Sequence, residues 1–242
     1  MKMKYYQIMI SVLAVLLSCS VNAQDSSPKV YFTAFSGIAT YKMDQLKKLN
    51  ELIEKNLPFP VRKINNFDPG FYLGGILQTP LFSYLEICFR YQYNTTGSRI
   101  GQRDYSGYYT FDQVVNGHLL GIEPEIIIDE KEHHRVSFSI MSGALFTTVK
   151  TEEILEVSGD KVQDSEYLSA FSVPVYPSLK LSVPVIIDWI TGSFSLGYLF
   201  DTGGKVHLKD NRDAILMVDD KYIRTEWSGW RIALGLKFTL IN

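Results

Sequence analysis

From Trp230 to Leu240 every second residue is large and apolar: Trp230, Ile232, Leu234, Leu236, Phe238 and Leu240. Between them stand Arg231, Ala233, Gly235, Lys237 and Thr239. A period of two describes a β-strand, whose successive side chains leave by opposite faces. The constraint on the fold is that this pattern recurs. In 84–93, Leu85, Ile87, Phe89, Tyr91 and Tyr93 alternate with Glu86, Cys88, Arg90 and Gln92. In 135–146, Val136, Phe138 and Ile140 face away from Arg135, Ser137 and Ser139. In 171–183, Leu179, Leu181 and Val183 oppose Ser178, Lys180 and Ser182, and in 193–200 Phe194 and Leu196 oppose Ser193 and Ser195. Segments 70–78 and 117–128 fit less cleanly, the second setting Leu120, Ile122 and Ile126 against Gly121, Glu123 and Glu125. Segment 29–41 is a strand by composition, with its faces unassigned. Together these make eight strands.

The chemistry of the two faces selects the architecture. A soluble sandwich buries large side chains and shows Lys, Glu and Thr to water. Here one face is nearly free of charge, while the other mixes Gly, Ser and Ala with scattered Glu, Arg and Lys. That division suits a membrane barrel, apolar towards lipid and small or polar towards a narrow lumen. Closure also satisfies every backbone donor and acceptor, which lipid cannot do. The connections agree. TPLFS (79–83), DEKEHH (129–134) and PVIID (184–188) are short, whereas 43–67, 94–109, 150–168 and 201–225 are long. Short and long alternate as periplasmic turns and external loops do on an even-stranded barrel. The expected fold is all-β: an eight-stranded antiparallel transmembrane β-barrel. A soluble ligand-binding barrel is the main rival, and the uncharged outer faces argue against it. Pro174 and Pro177 in the sixth strand predict a bulge or weak pairing there.

The first residues read as a signal peptide over 1–23. Lys2 and Lys4 precede the apolar run IMISVLAVLL (8–17), and Val21-Asn22-Ala23 offers a small-residue cleavage site before Gln24. LLSC (16–19) offers a competing lipoprotein-type box, with Cys19 as the lipidated residue. The domain expected over 24–242 carries 22 Lys and Arg against 26 Asp and Glu, a net charge near −4. No basic excess points to nucleic acid. Cleavage after Ala23 would leave Cys88 as the sole cysteine, a buried packing residue by expectation. In the first long loop, Met43, Leu46, Leu49, Leu52 and Ile53 recur at helical spacing, predicting a short amphipathic helix that either caps the barrel mouth or docks on a partner. VHLKDNRDAILMVDDKYIRTEW (206–227) and LEVSGDKVQ (155–163) read as hairpins above the membrane.

Three marks carry a family resemblance: Ala23-Gln24, the passage from Tyr41-Lys42-Met43 into DQLKKLNELI, and the closing strand with GLKF (235–238). On these the chain resembles the small outer-membrane β-barrel proteins of Gram-negative bacteria, in particular the porin-like barrel families of Bacteroidota. The resemblance implies contact with outer-membrane lipid and a final strand read by the outer-membrane assembly machinery. The usual terminal Phe is replaced by Asn242, with Phe238 four residues back. The class hosts many functions, so it implies location and not activity.

The inward face gathers Glu86, Arg90, Glu123, Glu125, Arg135, Lys180, Arg231 and Lys237. Charges in so confined a space must be paired, so these residues are expected to form a structural ion-pair network. An ion pathway is the competing reading. Eight strands leave a lumen filled by side chains, whereas open channels need about 16. A possible external binding surface, for a glycan or an envelope protein, lies at Arg99, Arg103, Tyr105, Tyr108 and Tyr109. The competing reading of these tyrosines is an interfacial aromatic girdle. His133 and His134 sit in a solvated acidic turn, and no metal is expected. His118, with an external Ser or Asp, is the sole candidate for lipid-modifying catalysis, and no spacing motif supports it. No catalytic residue and no cofactor are expected. The leading expectation is a non-enzymatic surface protein acting in envelope structure, adhesion or binding. An accessory subunit of a secretion or uptake complex and a narrow pore are the alternatives.

Overall fold

The computed structural model describes residues 29–105, 107–185, 190–211, 213–218 and 221–241. The expected leader, Cys19, Ala23-Gln24 and Asn242 lie outside the described residues. The elements run β1 (Val30–Ala39), helix α1 (Asp44–Asn56), β2 (Arg62–Asn66), β3 (Gly70–Phe82), β4 (Leu85–Arg103), β5 (Gly107–Lys131), β6 (His134–Val157), β7 (Asp160–Ser172), β8 (Val175–Pro184) and β9 (Ile190–Leu199). Five two-residue strands follow: β10 (Gly204–Lys205), β11 (His207–Leu208), β12 (Met217–Val218), β13 (Lys221–Tyr222) and β14 (Arg224–Thr225). β15 (Gly229–Ile241) is the last.

Antiparallel pairing runs β1–β3–β4–β5–β6, then through β7 and β8 to β9, β15 and back to β1. β7 and β8 are two halves of one barrel strand. β6 pairs with β7 along Leu145–Val157 and with β8 along Arg135–Ser142. The break falls at Val173-Pro174, where proline cannot donate to the ladder, and the Ser142 hydroxyl donates to the Pro174 carbonyl at 3.2 Å. Counting the two halves once, eight strands close the ring. The fold is an eight-stranded antiparallel transmembrane β-barrel with a short helix in its first external loop.

The exterior shows why water is the wrong solvent for it. Phe71, Leu73, Leu120, Ile122, Phe138, Ile140, Leu179, Leu181, Phe194, Leu196 and Leu234 all point away from the lumen on alternating positions. Phe71 is 74% and Leu234 68% exposed. Over the outward positions of this belt there is no Asp, Glu, Lys or Arg. Soluble proteins rarely expose a contiguous apolar patch beyond a few hundred Å². A charge-free belt around a whole barrel is a lipid-contacting surface.

Several local outcomes differ from the sequence reading. In β1 the inward residues are Thr33, Phe35 and Ala39, and the outward ones include Ala34, Ser36 and Ile38. The large Phe35 faces the lumen because it meets Tyr72 there, ring centroids 6.0 Å apart. The segment read as loop two continues the strands, β4–β5 pairing without a break from the barrel to Arg103 and Tyr108, while 155–163 forms the hairpin expected of it, β6–β7 pairing without a break to Ser158-Gly159. Ser158 and Gly159 both take positive φ, 54° and 94°, as the Ser-Gly-Asp turn demands. Segment 206–227 is closed by the expected antiparallel pairing, Val206 with Ile223 at its base and Met217 with Tyr222 further along, but it does not stand clear of the barrel. It folds back over the mouth and buries Val206, Ile223 and Trp227, whose apolar area is better placed against the barrel interior than in water.

Candidate functional site

The lumen is filled in two zones. In the zone nearer the short turns, strand register builds an ionic cluster. Arg90 stands opposite Gly121 across β4–β5, and its guanidinium reaches Glu123 on the diagonal. Nε lies 2.6 Å from one carboxylate oxygen and Nη2 3.1 Å from the other. Ser139 donates to the same carboxylate at 2.6 Å and Ser137 donates to Glu125 at 2.6 Å. Lys180 bonds Glu125, and Gln78 donates to Glu86. Arg135 lies 2.6 Å from Glu86, and Lys237 is 3.8 Å away from it. Buried Cys88 contributes its thiol 3.8 Å from Glu125. Three acids and four cations are thus interlocked across β3, β4, β5, β6, β8 and β15.

Arg231 stands apart from that cluster. It is fully buried, its guanidinium 5.8 and 5.9 Å from the rings of Tyr41 and Tyr72 and 3.5 Å from the Trp227 carbonyl. Among the described residues no carboxylate lies within 4.0 Å of it. It marks the passage from the ionic zone to an apolar one.

The outer zone is made by the loops. Met43 takes a left-handed conformation, φ 46°, and starts α1 so that Met43 and Leu46 are wholly buried with Val115, Leu145 and Val149. Ile53, Leu57 and Phe59 cover a second cluster of Val61, Ile100, Tyr109 and Phe111. The stripe of α1 therefore caps the barrel mouth. Trp227 completes the cap: its indole N–H donates to Thr147 at 2.9 Å, and Tyr41 meets it edge-on at 5.1 Å. Gly117 makes room for it, since a Cβ there would come 2.9 Å from Trp227 Cζ2. Gly117→Val is expected to displace the indole at a cost of about 1–3 kcal/mol. The displacement will register as a red-shifted tryptophan emission, which an unchanged spectrum would contradict.

Outside the barrel, β4, β5, β6 and β7 continue as a sheet, with β2 added at the β4 side. Adjacent tyrosines separate there. Tyr109 is 3% exposed, turned to the lumen side and stacked edge-on with Phe59 at 5.5 Å. Tyr108 faces the other way, and Tyr105 is fully exposed at the hairpin tip. On the outer face Arg99, Arg103 and Tyr108 are brought together with Arg62 and Ile64 of loop one around a hollow of about 680 Å³. Arg62 and Ile64 escape sequence reading because RKINN (62–66) is polar and shows no alternation. Only its pairing with β4 places them.

The histidines take ordinary positions. His118 points outward, its Nδ1 3.0 Å from the Tyr91 hydroxyl and its ring 5.2 Å from that of Tyr93. His134 lies 2.9 Å from Asp129, and His207 lies 3.0 Å from the Ser169 hydroxyl. Among the described residues no three metal-ligating side chains cluster.

No protein-family model matches the sequence, and no curated protein matches it closely enough to count as a relative. Among solved structures, the chain is similar to Ail, the attachment invasion locus protein of Yersinia pestis, at 12% identity and a TM-score of 0.38, covering 88% of this chain and 100% of that one. It is similar to the N-terminal β-barrel domain of Pseudomonas aeruginosa OprF at 11% identity and 0.37, covering 89% and 100%. Acinetobacter baumannii CarO2 is similar at 10% identity and 0.40, covering 89% and 100%. These likenesses are of fold, and the closed hydrogen-bonded ring stands without them.

Proposed function

We propose that this chain is an integral protein of a Gram-negative outer membrane, closed to solutes and non-enzymatic, that works through the sheet it raises outside the lipid. The observation that carries this reading is a contrast. The lumen is occupied at both levels by ionic and apolar side chains, while β5 runs 25 residues and β6 24, far more than the 9–11 needed to cross a bilayer. The extra length serves the outside. Envelope structure, adhesion and binding of a glycan or an envelope protein all fit such a surface. β15, with its unbroken apolar face, suits the role of the strand offered to the outer-membrane assembly machinery.

The plug favours a closed barrel over a narrow pore, and among the described residues His118 is partnered by the Tyr91 hydroxyl and not by the Ser or Asp that a lipid-modifying enzyme would need. In planar bilayers the purified protein is expected to give no steady conductance at physiological salt. Stable openings that depend on lumen charge would defeat the closed reading. Crosslinking in native cells, followed by detergent extraction and mass spectrometry, tests the surface role. Crosslinks from the β4–β7 sheet to envelope components are expected. A stoichiometric partner held through 43–67 or 201–225 would instead make the chain an accessory subunit.

A further inference from the structure

We infer that the arginine hollow on the projecting sheet is a binding site for the phosphorylated sugar head of a glycolipid in the surrounding outer leaflet. The inference rests on the membrane location proposed above and adds a ligand to it.

Composition comes first. The residues lining the hollow include Arg62, Arg99 and Arg103 and no carboxylate. Two acids stand near. Asp112 is held by Arg99 in a bidentate pair, 2.6 Å at each oxygen, and Asp104 belongs to the hairpin turn. Neither Arg62 nor Arg103 has a carboxylate within 4.0 Å among the described residues. A planar guanidinium fork matches the oxygens of a phosphate ester. Tyr108 and Ile64 add an aromatic and an aliphatic wall of the kind that receives a sugar ring, with Gly101 between them.

Position selects the source. Arg99, Gly101 and Arg103 share strand parity with Tyr91 and Tyr93, so the hollow lies on the face that continues the lipid-contacting belt. It lies on the side of the sheet, from Arg99 up to Arg103 and Tyr108, the last pair of the ladder. Tyr93, with outward His118 beside it, marks the aromatic boundary of the membrane. Arg99 is six residues further along β4. That is roughly 20 Å along the strand, or about 15 Å above the boundary at a usual tilt. Sugar-borne phosphates of an anchored glycolipid stand in that layer. A soluble polyanion arriving from outside would meet the exposed tip around Tyr105 first.

The test uses the full chain in phospholipid nanodiscs and a rough-type lipopolysaccharide with phosphorylated core sugars. Native mass spectrometry counts the glycolipid retained by the wild type, by Arg62→Gln/Arg103→Gln and by Tyr108→Ala. All three substitutions lie outside the folded core. Retention is expected for the wild type and should fall about tenfold or more in the double variant. Equal retention by wild type and double variant would overturn the proposal. So would equal retention of the same glycolipid after chemical removal of its phosphates. A soluble sulfated heparin hexasaccharide that binds this hollow while the glycolipid does not would also overturn it, since the source would then be external. Vesicle flotation keeps the two readings apart. A chain that floats but ignores the glycolipid loses only this site, whereas a chain that fails to float loses the membrane location.

Discussion

Replacing Glu123 with alanine should destabilise the barrel by about 3–5 kcal/mol, the largest effect expected of any single lumen substitution. The reason lies in what the change leaves behind. Arg90 and Glu123 are 4% and 0% exposed at their side chains. Without the carboxylate, Arg90 retains only the faces of Phe35 and Tyr176, 4.8 and 5.4 Å from its guanidinium carbon. Aromatic faces offset a buried cation by about 1–2 kcal/mol, less than the desolvation it bears. Ser139 also loses an acceptor. The contrast is Arg99 with Asp112, equally well aligned but with the arginine 54% exposed, where Arg99→Ala should cost at most about 1 kcal/mol. Urea unfolding in lipid vesicles, followed by the gel shift between folded and unfolded barrel, measures both. Similar midpoints for the two variants would mean that water reaches the lumen and that the ionic zone is no seal.

Arginine at Leu234 should cost about 2–4 kcal/mol in a bilayer. Leu234 points outward near the middle of β15, level with Phe194 on one neighbour and Ser36 on the other. Its side chain is 68% exposed, so in water the substitution would relieve an apolar surface and leave stability unchanged or improved. The sign of the effect therefore reports the solvent. Leu240→Arg, on the same outward face near the end of the strand, supplies the depth control, with an expected cost of about 0–1 kcal/mol. Equal, small effects at both positions in vesicles would contradict a lipid-facing belt.

Much of the barrel is legible in the sequence because lipid imposes one rule on every outward position, and the rule leaves a period-two trace. The trace blurs where the lumen also wants bulk. Phe35, Tyr72 and Ile76 face inward, so β1 and β3 carry large residues on both sides and their faces cannot be separated by composition. Above the membrane water replaces lipid, the outward face turns polar, and β4–β7 stop looking like strands although their hydrogen bonding continues. The candidate surface divides along the same line. Tyr108 and Tyr109 look alike as neighbours in sequence, and counting parity back from inward Glu123 would have assigned Tyr109 to the interior. Arg62 had no such route, because its place depends on a ladder between segments far apart in the chain.

The seam between β1 and β15 has a kinetic consequence. It joins Ala39 to Arg231 and Tyr31 to Thr239, and the Trp230 amide donates to the Thr40 hydroxyl across 190 residues. Closing a contact of that span bears nearly the full loop entropy of the chain before the ladder returns any of it. Until β15 arrives, β1 presents an open edge and the charge-free belt has no bilayer sealed around it. Both are liabilities of an unfinished sheet. Folding of this chain is therefore expected to be slow and concerted, with a long-lived precursor that must be shielded from its own kind until the last strand is in place.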